Sequence, residues 1–96
     1  MQDTLQTRPE LIEKERIPEL KFNKSIPIQQ DEKLMEKLLE ATKLGNLHRG
    51  KVAIIFEDNI GLKKVETTVW ATGLNYICLK GGVWLPIANI HRLIIL

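Results

Sequence analysis

The stretch from residue 51 to the end leaves the chain the least choice of fold. Val52, Ile54 and Phe56 alternate with Lys51, Ala53, Ile55 and Glu57, the period of two that marks a β-strand. Asp58-Asn59-Ile60-Gly61 follows, residues that tolerate positive φ and predict a tight hairpin loop. A second strand is expected over 62–72, with Val65, Thr67, Val69 and Ala71 on one face, Lys64, Glu66, Thr68 and Trp70 on the other, and Gly73 closing it. A third is expected over 75–80. The Gly81-Gly82 turn leads into a fourth over 83–87, where Pro86 marks an edge or an ending. Residues 87–90 predict a short helical turn and 91–96 a fifth strand. Five short strands in about 51 residues leave too little chain for a sandwich, whereas closure into a small bent barrel removes most unpaired edges.

Before this region the period changes. Leu34, Met35, Leu38, Leu39 and Thr42 recur at helical spacing, with Lys33, Glu36, Lys37, Glu40 and Lys43 on the other side. Asp31 suits the start of this helix, Lys43 its last turn, and Gly45 with Asn46 a left-handed stop. Three i,i+3 pairs, Lys33 with Glu36, Lys37 with Glu40 and Glu40 with Lys43, are expected to support it. A helix this short is marginal alone, so its leucine stripe must dock, and capping one end of the barrel is the expected use. Residues 1–29 are polar and broken by Pro9, Pro18 and Pro27, and their apolar members follow no sustained period. They predict an extended or disordered arm, with a turn or two of helix near 11–16, ordered where Phe22 and Ile26 find a surface. The expected organisation is thus an arm over 1–29 and one helix-plus-barrel domain over 30–96. That is all a chain of 96 residues has room for.

The lone Cys78 forms no internal disulfide and supplies no cysteine-rich zinc site. The first ten residues lack the apolar core of about 7–15 residues found in signal peptides. No run nears the roughly 18 apolar residues of a membrane span. A cytoplasmic chain with no membrane association is expected. Its net charge of +2 divides unevenly: eight bases face nine acids up to residue 45. Beyond it six bases (Arg49, Lys51, Lys63, Lys64, Lys80, Arg92) face three acids (Glu57, Asp58, Glu66).

A helix followed by five short strands with a helical turn before the last resembles the Sm-like class of SH3-type barrels. More narrowly, residues 30–96 are similar to the Rho-binding antiterminator family. The shared stretches are Val52-Ala53-Ile54-Ile55-Phe56-Glu57-Asp58 through Gly61, and Leu85-Pro86-Ile87-Ala88-Asn89-Ile90. Runs such as Val65-Glu66-Thr67-Thr68-Val69-Trp70-Ala71-Thr72 and Leu79-Lys80-Gly81-Gly82-Val83 also resemble short bacterial proteins of the Bacteroidetes, which bring no activity with them. The resemblance implies fold more than function. RNA-binding Sm proteins carry an aspartate and an asparagine after the second strand and an arginine-glycine pair before the last. Asn75 matches the asparagine, but Ala71 and Thr72 offer no aspartate and 87–90 no arginine-glycine. The antiterminators bind through an acidic barrel, whereas this one carries the basic surplus.

No nucleophile-base pair, carboxylate pair, metal-ligand set or phosphate loop is visible, so no catalytic, metal or cofactor role is expected. His48 is expected to be exposed and Cys78 to pack as a small hydrophobe. The basic residues Arg49, Lys63, Lys64, Lys80 and Arg92, with Asn75 and the outward Trp70 and Trp84, are the candidate binding residues. Phosphates need cations and single-stranded bases need rings to stack on. Two non-enzymatic readings follow. One is a barrel that contacts single-stranded nucleic acid or the transcription machinery. The other is a protein-interaction or homo-oligomerisation module that uses the tryptophans and the terminal Leu93-Ile94-Ile95-Leu96.

Overall fold

The computed structural model describes residues 8–23, 28–48 and 50–96. Among them the chain is mainly β with one α-helix. The elements are β1 (Glu10–Leu11), a 3-10 helix (Lys14–Glu19), α1 (Leu34–His48), β2 (Val52–Glu57), β3 (Leu62–Thr67), β4 (Val69–Thr72), β5 (Tyr76–Leu79), β6 (Val83–Pro86), a 3-10 turn (Ile87–Asn89) and β7 (Ile90–Ile95). They form two sheets, ordered β1-β3-β2-β7 and β4-β5-β6. Among the described residues β6 pairs with β5 alone and β7 with β2 alone. The closed five-stranded barrel is therefore replaced by two sheets.

The expected second strand accounts for much of the difference. It divides at Thr68, where Thr67, Thr68 and Val69 are all buried and strict alternation fails. A chain that leaves one sheet for another turns a corner, and residues at the corner are enclosed from both sides. A bulge follows at once, since Val69 pairs with Leu79 but Ala71 with Cys78. The extra residue, Trp70, shifts the phase, so Ala71, expected inside, is exposed. In the middle of its sheet, β2 is buried on both faces, and Ala53 and Ile55, on the face turned away from the core, are buried as well.

The helix also differs from its sequence reading. It runs to His48, and its buried positions are Leu34, Leu38, Ala41 and Gly45, while Met35 and Leu39 stay exposed. None of the three expected i,i+3 ion pairs forms among the described residues. Lys37 instead reaches back to Asp31 (Nζ to Oδ2, 2.8 Å), whose other oxygen accepts from the Lys33 amide. Gly45 is not a stop. A Cβ there would lie 2.2 Å from the Val69 carbonyl oxygen. Thr68, the residue before, accepts the Lys80 amide on the β5 side. Successive carbonyls of a strand point opposite ways, so that of Val69 faces α1. The helix thus covers the side of β4 that, among the described residues, no strand pairs, a direct remedy for an open edge. The Thr42 hydroxyl, which donates to the Leu38 carbonyl, lies 2.7 Å from that of Thr72.

Residues of the arm belong to the core. Ile12 and Ile17 are buried with Leu34, Leu38, Phe56, Ile77, Leu85 and Leu93, and Leu20 and Phe22 pack against them. Strand β1 runs parallel to β3, the 3-10 helix rests on β6, and the Phe22 ring sits 6.1 Å from that of Phe56. Ile26, the other expected anchor, lies outside the described residues. The expected Gly81-Gly82 turn is present with φ of +88° and +83°, values that suit glycine.

Candidate nucleic-acid interface

The eight residues expected to bind do not converge on one surface. Arg49 lies outside the described residues. Lys63 is 6% exposed, with Nζ 3.2 Å from Asp58 Oδ1 and 3.7 Å from Glu10 Oε1. That Asp58 oxygen also accepts the amides of Ile60 and Gly61 at 3.0 Å each. Burial pushes the Asp58 carboxyl up, but those two amides and the Lys63 ammonium outweigh it and hold the group below its ordinary range. Lys63 therefore ties the first hairpin to the arm and is not free to meet a phosphate. Lys64 and Arg92 flank Ile55 on the outer face of the first sheet, where Lys64 lies 3.8 Å from Glu66. Asn75 is an exposed turn residue whose carbonyl accepts the Ile87 amide.

The second sheet brings the rest together. Cys78 on β5 is directly opposite Ala71 on β4 and Trp84 on β6. Directly paired residues share a face, so these three look outward, and Tyr76, two residues from Cys78, joins them. Val69, Ile77, Leu79 and Leu85 face the core. Trp70, Tyr76 and Trp84 are 46%, 51% and 60% exposed. Cys78 is half-buried on this outer face rather than packed in the core. Where β4 meets the last turn of α1, a cleft of about 430 Å³ is lined by Gly45, Asn46, Lys51, Thr68, Trp70 and Lys80.

Trp70, Trp84 and Lys80 are legible from strand parity, and so is Tyr76, which shares the parity of Lys80 but is not among the expected residues; Lys51 and Asn46 are not. Lys51, in the link between α1 and β2, reaches the cleft where α1 packs on β4. A different signal in the sequence does mark this surface: from Thr67 to Leu96 the chain contains no aspartate or glutamate. Every acid of the strand region lies in 57–66, on the other sheet and its hairpin. Among the described residues no ion pair engages Lys51 or Lys80, so their charge is unspent.

The remaining polar groups are otherwise occupied. His91 Nε2 lies 2.9 Å from Glu57 Oε1, and Asn89 donates to the Glu57 carbonyl. Beside them a groove of about 500 Å³, bordered by Gln30, Asp31, Glu32 and Arg92, mixes both signs of charge. Among the described residues no three of His, Cys, Asp or Glu cluster as a metal would require, and no helix is long and apolar enough to cross a membrane. In comparisons with protein-family models, with curated proteins and with solved structures, nothing matched this chain.

Proposed function

We propose that the protein is a non-enzymatic binding module of Sm-like architecture that takes single-stranded RNA on the outer face of β4-β5-β6. The observation that carries this reading is three exposed rings on a surface drawn from an acid-free third of the chain, with Lys51 and Lys80 at one end. Base stacking on an aromatic ring contributes about 1–3 kcal/mol per base and tolerates any sequence. Unpaired lysines add the salt-dependent phosphate term. The Sm-like reading draws support from the strand order, in which β7-β2-β3 passes through Thr68 directly into β4-β5-β6. An acidic interface of the antiterminator kind has no counterpart on this face.

The test is anisotropy with a mixed-sequence single-stranded RNA. Affinity falls steeply with salt, Lys51→Glu with Lys80→Glu flattens the salt slope by about two phosphate contacts, and Trp84→Ala weakens binding at every salt concentration. No binding at low salt would overturn the reading. A second reading, self-assembly, is favoured by a separate observation. Among the described residues β7 has no strand on its outer side, and Ile94, Ile95 and Leu96 are exposed at its end. A monomer by light scattering at high concentration would dismiss it.

A further inference from the structure

The cleft between α1 and β4 has a property the open sheet face lacks. Thr68 is one of the residues that line the cleft; it is 5% exposed, and among the described residues its hydroxyl makes no hydrogen bond. A buried hydroxyl without a partner costs on the order of 1–3 kcal/mol, so it is uncommon without a reason. Around it stand Asn46, whose exposed amide both donates and accepts, the two unpaired ammonium groups of Lys51 and Lys80, and the Trp70 ring. The volume of about 430 Å³ lies within the roughly 300–1,000 Å³ of small-ligand sites.

We infer that this cleft is a pocket for one nucleoside monophosphate unit. The base stacks on Trp70, the phosphate lies between Lys51 and Lys80, and the Thr68 hydroxyl with the Asn46 amide bonds the sugar hydroxyls or the base edge. The inference rests on the RNA reading for its biological ligand, but its chemistry is that of a nucleotide, free or within a strand. Each lining group answers a different part of that ligand, which an acidic peptide or a bare anion would not use. Removal of the Thr68 hydroxyl leaves the fold no poorer, because among the described residues nothing bonds it.

The full chain carrying Trp84→Phe keeps Trp70 as its one tryptophan, since the protein has two. Its fluorescence is titrated with adenosine and uridine 5′-monophosphates, with adenosine, and with inorganic phosphate. Saturable quenching by both monophosphates, weaker with adenosine and absent with phosphate alone, is the expected result. Thr68→Val in the same background weakens the monophosphates by roughly fivefold, the worth of one hydrogen bond, with a melting temperature equal to or above that of the parent. Equal occupancy by inorganic phosphate, or no effect of Thr68→Val, overturns the pocket. If RNA binds the chain but the monophosphates do not quench, the pocket fails and the RNA reading stands. Quenching by the monophosphates together with no RNA binding at low salt supports the pocket and removes the RNA reading.

Discussion

Lys63 and Gly45 carry structural duties that their residue types do not announce. The Lys63 ammonium is enclosed against Asp58, itself 1% exposed. Removing one partner of a buried pair strands the other charge. Asp58→Ala is expected to lower stability by about 3–5 kcal/mol in denaturant titrations, more than any substitution of the exposed Lys80. The pH dependence has a definite sign. Because the folded carboxyl is held below its ordinary value, its contribution is complete above the usual carboxylate range. It is lost as pH falls through the folded value, so Asp58→Asn should flatten the acid limb of the stability profile. Gly45→Ala combines a helix-propensity gain of about 1 kcal/mol with a Cβ driven into the Val69 carbonyl. The clash is with backbone, which cannot step aside, so a lower melting temperature is expected. Neither role was legible in the sequence. A lysine between Leu62 and Lys64 reads as surface, and a glycine near the end of a helical pattern reads as a stop. Only the positions of Asp58 and of β4 reassign them.

At the scale of elements, the strands over 52–57, 76–79, 83–86 and 90–95 lie within a few residues of their period-two reading, as do both hairpin turns. Alternation survives wherever one face is buried and the other is wet. It fails at Thr67-Thr68-Val69, where the chain crosses between sheets, and along β2, where both faces are covered. The arm was illegible for another reason. Its 3-10 helix has six residues, one of them Pro18, and a single buried side chain, Ile17, too few for any period to show. That one side chain matters. Ile17→Ala is expected to cost about 2–5 kcal/mol, measured by thermal or urea unfolding, where an arm without a docking site would show no change.

For the molecule as a whole, charge is sorted by sheet. Counting bases and acids over the strand region shows a surplus, but the surplus names the wrong lysines, because Lys63 and Lys64 are paired with acids. Position along the chain carries the better information, since β4-β5-β6 and β7 come from a stretch without acids. Trp70, Lys80 and Trp84 could be named from parity alone. Tyr76 shares that parity, whereas Lys51 needed the packing of α1 on β4. The corner at Thr68 has one more consequence. A single run of chain, 62–72, is a wall of both sheets, and Gly45 presses the helix onto it just past the corner. Neither sheet can open without withdrawing that wall from the other. Amide hydrogens of Ile54 in the first sheet and Ile77 in the second should therefore exchange through the same opening, with equal protection that falls in step as urea is added. The two sheets behave as one cooperative unit, held by a shared beam, and any ligand on one face is felt as added protection on both.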